Sequence, residues 1–501
     1  MKALSASACA VTLLALLTCT LRASAQGSEQ ITIDASAPGT PFPHFWEEMF
    51  GSGRAILALR ESYREDLREV KKVTYFRYVR FHNILHDEVG VYDEDKQGNP
   101  IYNFTYVDQI YDGLLKSGVR PVVEISFTPK KLASNPNALH PFWYKQNVSP
   151  PKDYAKWDDL IRHFAKHLVD RYGIGEVAQW YFEVWNEPNI DFWAGEPKQA
   201  TYFELYDHTA RALKSVSPLL RVGGPATAAA DWVDAFLAHA VQLNVPIDFV
   251  SSHGYADDTV RNLFHNDEPV PMDQRVCQAI KKVRGQIKAS GRPNLPLFWT
   301  EWNVPGHDAL RDTPFVAPAV AYDIAQCDGL VDMMSFWTFD DVFEENGPPK
   351  DPFHGGFGLI AVGGIKKPSY FGFSLLHQLG SERLSSSASN VLVTRRPDGT
   401  VVIAAWNLVD PAQGGGTIHQ RIEFRNVNTN ATVLISRADD THGNTLAIYK
   451  RLGSPAYPTQ AQIEQINREG ALDVPQAVSL YNAAFDLDIP PNGLVMIEVL
   501  K

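Results

Sequence analysis

Two glutamates beside strand-like aromatic runs could act as a carboxylate pair. Glu187 belongs to Trp185-Asn186-Glu187-Pro188, at the end of the run 180–185, and Glu301 directly follows Phe298-Trp299-Thr300. In glycoside hydrolysis one carboxyl group protonates the departing oxygen while a second carboxylate attacks the anomeric carbon. Apolar and aromatic neighbours are expected to raise the pKa of the proton donor. The two motifs therefore predict hydrolysis of a glycosidic bond.

Alternating strands and helices between about residues 40 and 340 must position these glutamates. Eight strand-like segments separated by stretches of helical periodicity predict a closed (β/α)8 TIM barrel in the α/β class. They lie within residues 42–50 and at 75–81, 121–127, 180–185, 219–222, 247–252, 295–300 and 333–339. An open doubly wound sheet usually has fewer strands and often carries a Gly-rich phosphate loop, which this sequence lacks. Strands four and seven face each other across a barrel mouth, so Glu187 and Glu301 can flank one bond.

Glu183 competes with Glu187 for the role of the acid. The two lie an even number of residues apart, and such residues of a strand share a face, so alternation alone does not separate them. Glu183 lies deeper in the strand, where we expect a structural hydrogen bond. Glu187 stands at the C-terminal rim, where barrel active sites are built.

The remainder of the chain predicts a second domain. Short strands at 391–394, 401–406, 422–424, 433–435 and 494–499 predict a β-sandwich, with one helix near 460–469. We assign the barrel to residues 36–355 and the sandwich to 356–501. The strand-like segment within 26–35 is expected to cross over and join the sandwich.

Composition and charge exclude several classes of function. The net charge of −12 disfavours nucleic-acid binding, which needs a basic face. No CxxC or HExxH pattern occurs, so we expect no metal site, and the carboxylate pair needs no cofactor. The oligomeric state stays open, with a homo-oligomer among the alternatives.

The N-terminus resembles a secretory signal. A lysine at position 2, an apolar stretch at 8–21 and the small-residue pattern Ala23-Ser24-Ala25 predict cleavage before Gln26 and removal of residues 1–25. The mature protein is then secreted or periplasmic, without a membrane anchor. Cys277 and Cys327 remain after cleavage; spacing leaves their pairing open, and we expect two free buried thiols.

The chain resembles glycoside hydrolase family 39 of clan A, which contains β-xylosidases and α-L-iduronidases, and it is more similar to the β-xylosidase branch. The matching segments run through the barrel and into the sandwich. They are YVRFHNILHDEVGVY (77–91), YNFTYVDQIYDGLLKSGVRPVVEISFTPKKLAS (102–134), WYFEVWNEPN (180–189), FVSSHGYADD (249–258), SFWTFDDVFEE (335–345), FHGGFGL (353–359) and VLVTRRPDGTVVIAAWN (391–407).

The resemblance implies a role for each matching residue. Glu187 matches the acid/base, Glu301 the nucleophile, and Asn186 the residue that binds the sugar 2-OH. The positions that match the surroundings of the glycone are His82, Phe127, His253, Tyr255, Trp337, Glu344 and Glu345. Among these, Tyr255 could hold the nucleophile, and Phe127 and Trp337 could form a wall. Asn83 and Trp302 depart from the usual Gly and Tyr, which puts the rim and the aglycone preference in doubt.

The resemblance implies a retaining exo-glycosidase that removes terminal β-1,4-linked D-xylose from xylo-oligosaccharides and aryl β-xylosides. An iduronidase-like enzyme is the alternative; its substrate carries a carboxylate, which Glu344 and Glu345 would repel. Other β-glycosides stay open as substrates. A non-catalytic carbohydrate-binding barrel is the alternative from another class, but such a barrel usually loses a catalytic carboxylate, and both are present.

Overall fold

A computed structural model of the protein describes residues 29–304, 308–410 and 412–500. Eight parallel strands form a closed barrel in chain order, and the last strand pairs with the first, which confirms the predicted TIM barrel. The strands are Met49–Gly51, Tyr78–Phe81, Arg120–Ile125, Tyr181–Val184, Arg221–Thr227, Phe249–His253, Leu297–Trp302 and Met333–Phe336. The predicted signal peptide, 1–25, lies outside the described residues. Among the described residues, no helix has the length and apolar character needed to span a bilayer.

A helix follows each barrel strand and packs its apolar face on the barrel. These helices are Glu61–Lys71, Thr105–Lys116, Tyr154–Tyr172, Lys198–Val216, Val233–Gln242, Arg275–Ala289, Val316–Cys327 and Pro368–Leu376. The ring of Phe373 in the eighth helix lies 5.5 Å from that of Phe50 and 5.2 Å from that of Phe336, centroid to centroid. The predicted boundary after residue 355 precedes this helix, so residues assigned to the second domain complete the helical layer of the barrel.

The barrel interior changes character along its axis. At the N-terminal end, buried apolar side chains fill it in one cluster: Met49, Tyr78, Val122, Phe249, Phe298 and Met333, with Tyr181 against them. Two residues further along several strands, the same face carries charged or polar groups, because side chains of a strand alternate with a period of two. Arg80, Glu124, Glu183 and Thr300 form this second layer, and all are fully buried.

Two sheets pack face to face as the predicted β-sandwich. The larger sheet has the order Thr40–Pro41, Glu382–Leu384, Val391–Arg395, Val401–Trp406, Leu494–Val499, Thr432–Ala438 and Gln476–Ser479. The smaller sheet has the order Glu29–Asp34, Ile418–Arg425 and Ala484–Ile489, and its first strand pairs in parallel with its second. One apolar cluster joins the two sheets. The predicted helix is present at Gln460–Glu469, after a further helix at Thr445–Arg451.

Cys277 and Cys327 form a disulfide, so the expectation of two free thiols is wrong. Cys277 lies in the helix Arg275–Ala289, and Cys327 ends the next barrel helix. These neighbouring helices bring the two Cα atoms to 5.1 Å, within the range that a disulfide spans. Sequence spacing could not show this pairing, because it depends on how the two helices pack.

Candidate active site

Arg80 organises the charged layer beneath the mouth of the barrel. It lies on the second barrel strand, and its guanidinium donates to Glu183 at 2.5 Å, Glu301 at 2.7 Å and Glu124 at 2.8 Å. Its Nη2 also donates to the side-chain oxygen of Asn186 at 2.9 Å. Burial disfavours the charge, but the carboxylates outweigh it and hold the pKa of Arg80 well above its usual range. A fixed cation therefore sits under both catalytic motifs.

Glu301 is held by two donors on different elements. Its Oε1 accepts from Arg80, and its Oε2 accepts from the Tyr255 hydroxyl at 2.7 Å. Burial and the neighbouring Glu301 raise the pKa of Tyr255 well above its usual value, so Tyr255 stays a hydroxyl donor. A cation and a hydroxyl thus stabilise the negative charge of Glu301 and fix its orientation, as a nucleophile requires.

Glu187 has a different environment from Glu301. Its Oε1 lies 3.0 Å from Nδ1 of His253, and burial raises the pKa of Glu187 to about 7, although His82 and Arg80 act in the opposite direction. Burial also lowers the pKa of His253 to about 4, so its ring is neutral near pH 7. Two carboxyl groups with such different surroundings are suited to separate acid and nucleophile roles.

The backbone holds Glu187 in an unusual conformation. Its φ is 44° and that of Trp185 is 72°, both in the left-handed region that non-glycine residues rarely adopt. The amide of Glu187 donates to the carbonyl of Ala226 at 2.8 Å, which ties this turn to the next barrel strand. Strain of this kind, of order 1–3 kcal/mol per residue, is concentrated at functional sites.

The two glutamates approach each other closely. One carboxylate oxygen of Glu187 and one of Glu301 lie within 4.8 Å of each other and of a His253 nitrogen. Retaining glycosidases place their carboxyl groups about 5–5.5 Å apart, whereas inverting enzymes leave about 6.5–9.5 Å for a water molecule. The separation fits the retaining arrangement.

Glu183 is occupied by structural contacts. Its two oxygens accept from Arg80 and from the Thr300 hydroxyl, the latter at 2.8 Å, and its side chain is fully buried. It therefore lies below the mouth of the barrel, as its deeper position in the strand predicts.

A cavity of about 330 Å³ opens above the glutamate pair. Seven predicted site residues line it: His82, Asn186, Glu187, Tyr255, Glu301, Trp337 and Glu345. Burial raises the pKa of Glu345 to about 8, although His82 counteracts this effect. Glu345 is therefore a neutral carboxylic acid near pH 7 that can donate a hydrogen bond to a hydroxyl group.

Three predicted site residues do not line this cavity. Glu344 binds Arg54 at 2.8 Å and Arg60 at 2.5 Å, so its carboxylate is used in a structural ion pair. Phe127 is fully buried, and its ring packs against Trp185 and Phe192. His253 is also fully buried and acts on the cavity through its contacts with the glutamates.

The two departures from the family pattern do not change the rim. Asn83 is fully buried with φ of 74°, a conformation that glycine adopts freely and that asparagine tolerates better than most residues. Trp302 is fully buried, and its ring packs against that of Phe336. Neither residue lines the cavity.

Sequence reasoning missed several residues of the site. The missed cavity residues are Phe142, Phe192, Asp257, Asp258, Arg311 and Phe357. Below them it missed Arg80 and Glu124, and Glu124 binds His82 at 2.7 Å. A usable signal existed for Arg80, since it lies two residues before His82, which directly follows the same strand, and residues two apart are expected on one face. The loop residues carry no comparable periodic signal.

Comparisons with known proteins agree with this geometry. The family described as Glycosyl hydrolases family 39 matches residues 29–479. A β-xylosidase of Geobacillus stearothermophilus is 39% identical, covering 85% of this chain and 86% of that protein. A β-xylosidase of Caldicellulosiruptor saccharolyticus is 35% identical, covering 91% and 95%. The crystal structure of a monomeric β-xylosidase from Caulobacter crescentus CB15 superposes with a TM-score of 0.85 at 34% identity, covering 94% and 99%.

Proposed function

Since the chain belongs to family 39 of the glycosyl hydrolases, we propose that it is a retaining exo-β-xylosidase that removes terminal β-1,4-linked D-xylose from xylo-oligosaccharides and aryl β-xylosides. One observation carries the proposal: a carboxylate oxygen of Glu187, whose pKa burial raises to about 7, lies within 4.8 Å of a carboxylate oxygen of Glu301. The likeness to β-xylosidases over most of their length supports xylose as the glycone.

In the first step, Glu301 attacks the anomeric carbon of the terminal sugar. The bond from that carbon to the glycosidic oxygen breaks, and the proton of Glu187 passes to the departing oxygen. A covalent glycosyl ester on Glu301 results, with inverted configuration. Arg80 and Tyr255 align the attacking carboxylate before the reaction and hold it as its charge is lost.

In the second step, water attacks the same carbon from the side that the leaving group vacated. Glu187, now ionised, accepts the proton of the water, and the bond to Glu301 breaks. The second inversion restores the original configuration. His253 stays neutral because burial lowers its pKa to about 4, so it orients Glu187 without competing for the proton.

The charges that line the cavity favour a neutral glycone. Asp257 and Asp258 line it beside the catalytic pair, and Arg311 and His82 are the basic side chains among the described lining residues. Burial lowers the pKa of His82, but Glu124 outweighs this effect and raises it above its usual value. Arg311 lies over the ring of Phe357 at 4.2 Å and within 3.7 Å of Asp257. A uronate would meet more acidic groups than basic ones. The repulsion by Glu344 and Glu345 that the sequence suggested is not the reason, since Glu344 binds two arginines and Glu345 is neutral near pH 7.

A matched panel of aryl glycosides tests the substrate. We expect kcat/KM to be highest for p-nitrophenyl β-D-xyloside and at least about 100-fold lower for an aryl α-L-iduronide, a difference of about 2.7 kcal/mol. Proton NMR of the first turnovers should show β-xylose before mutarotation. Initial α-xylose would contradict retention, and no activity on any glycoside would indicate a binding protein instead.

We also propose that the protein is exported and acts outside the cytoplasm. The signal-like N-terminus and the disulfide between Cys277 and Cys327 support this, because disulfides persist in oxidising compartments. N-terminal sequencing of protein from the native host should begin at Gln26. Recovery of the intact N-terminus from the cytoplasm alone would contradict export.

A further inference from the structure

A cluster of two histidines and a glutamate lies at the N-terminal end of the barrel. Nδ1 of His377 lies 3.0 and 2.9 Å from the two carboxylate oxygens of Glu47, and Nδ1 of His44 contacts the same carboxylate. One donor atom from each residue lies within 4.8 Å of the other two. We propose that His44, Glu47 and His377 bind a divalent transition-metal ion, with Zn²⁺ as the preferred occupant.

The donor set matches the chemistry of zinc. Two imidazole nitrogens and one carboxylate form a known three-ligand set for this ion, which binds them at about 2.0–2.2 Å and leaves a further position for water. The three donor atoms already converge, so small side-chain adjustments would seat an ion among them. Nitrogen ligands favour Zn²⁺ and its neighbours over Mg²⁺ and Ca²⁺, which select oxygen.

The burial of Glu47 supplies a reason for a cation. Its side chain is fully buried, and its salt-bridge partners within the described part of the chain are His44 and His377 alone. A buried carboxylate needs a compensating positive charge. A bound divalent ion would supply that charge.

Aromatic rings support the cluster and leave a path from solvent. The ring of Trp46 stacks on His44 at 4.5 Å, and that of Tyr75 lies 4.5 Å from His377. These contacts fix the imidazole orientations, as the outer shell of a metal site does. His377 is 28% exposed and Tyr75 is 53% exposed, so an ion can enter from this side.

The position of the cluster indicates a structural role. Glu48 directly follows Glu47 of the cluster, and its carbonyl accepts from the amides of Arg77 and Tyr78. This contact places the cluster at the start of the barrel strands, opposite the catalytic mouth. His377 directly follows the eighth barrel helix, where the chain leaves for the sandwich. An ion would therefore connect the segment that enters the barrel to the segment that leaves it, and it would change stability and not catalysis.

Zinc binding to the full-length protein tests the site. Protein stripped with a chelator is dialysed against Zn²⁺ at pH 7.5, and bound zinc is measured per chain. We expect one ion per chain, binding at least about 10-fold weaker in His377→Ala, and unchanged binding in His419→Ala. His419 is a matched control, since its Nδ1 contacts the carboxylate of Asp488 at 2.6 Å, and no third ligand lies near them among the residues that the structure describes. Saturating zinc should raise the unfolding midpoint of the parent by about 2 °C and leave that of His377→Ala unchanged.

Two further measurements separate this site from the catalytic cavity and from misfolding. Glu301→Gln should still bind one zinc ion per chain. The proposal would be overturned if His377→Ala kept the zinc and Glu301→Gln lost it. It would also be overturned if the parent bound no stoichiometric zinc. The activity of His377→Ala should equal that of the parent. If that variant does not fold, Co²⁺ on Glu301→Gln decides the question, because this variant lacks one ligand of the catalytic cluster and keeps both histidines of the proposed site. Imidazole ligation gives a visible spectrum different from that of the aqueous ion, and an unchanged aqueous spectrum would overturn the proposal.

Discussion

The two ends of the barrel interior differ in chemistry although the same strands build them. Tyr78 and Phe298 belong to the apolar cluster at the N-terminal end. Two residues further along the same strands, Arg80 and Thr300 take part in the charged layer below the active site. All four are buried, so burial alone does not distinguish core from site. The difference indicates that the lower layer stabilises the fold, whereas the upper layer contains buried charges that are costly to bury but are needed for function.

The largest expected effect is at the nucleophile in the upper layer. Glu301→Ala removes the group that forms the covalent intermediate, so we expect kcat for aryl xylosides to fall by at least about 10⁴-fold, or roughly 5.5 kcal/mol. The folded state should persist, because Arg80 keeps Glu183 and Glu124 as partners. Glu268→Ala, which changes an exposed carboxylate, is the control and should leave kcat unchanged.

Replacing Arg80 should lower both the stability and the activity of the enzyme, unlike the replacement of any residue of the lower layer. Arg80→Met leaves Glu124 and Glu183 without their buried cation, so we expect a loss of about 3–5 kcal/mol in the free energy of unfolding. Activity should fall as well, by about 100-fold, because Glu301 loses its charged donor. Denaturant unfolding and steady-state kinetics on the same samples measure both. A variant with parent stability would show that the ion network contributes nothing.

The ionisation of the proton donor, Glu187, should be visible in the pH dependence of kcat/KM. Glu187 acts in its protonated form, which predominates below its pKa of about 7 and is lost as pH rises. The value of kcat/KM for a xyloside with a poor leaving group should therefore fall about tenfold per pH unit above 7. A dinitrophenyl xyloside needs little protonation and should lack this limb. The same limb with both substrates would assign it to another group.

The smallest effect on catalysis is expected in the lower layer. Phe298→Leu keeps an apolar side chain of similar volume at the contact with Tyr181, so we expect a stability loss of about 1 kcal/mol. The activity of the folded enzyme should stay within about twofold of the parent. A tenfold loss of activity at unchanged stability would contradict the division of roles between the two layers.

The sequence predicts the barrel and the catalytic pair because both leave local signals. Aromatic and β-branched runs mark the eight strands; Glu187 follows one of them, and Glu301 lies near the end of another. The partners of the pair depend on tertiary contacts: Arg80 reaches carboxylates on three other strands, and the disulfide joins two helices. These contacts arise only when distant segments pack.

Strand irregularity also limits what alternation can predict. Thr300 and Glu301 are consecutive, yet both contact the charged layer, through Glu183 and Arg80. The pairing register shifts between Trp299 and Trp302, and such bulges re-aim side chains beside active sites. Glu344 shows a different limit of sequence reasoning. Its position matches a family motif near the glycone, but its carboxylate binds two arginines instead.

Azide rescue with product stereochemistry tests the assignment of the two glutamates most directly. In Glu187→Ala, the intermediate on Glu301 forms from dinitrophenyl β-xyloside, and azide attacks it without a general base. We expect faster turnover with azide and β-xylosyl azide as the product, whereas Glu301→Ala should yield the α-azide from the vacated side. The reverse pattern, with α-azide from Glu187→Ala and β-azide from Glu301→Ala, would contradict the central claim and exchange the two roles.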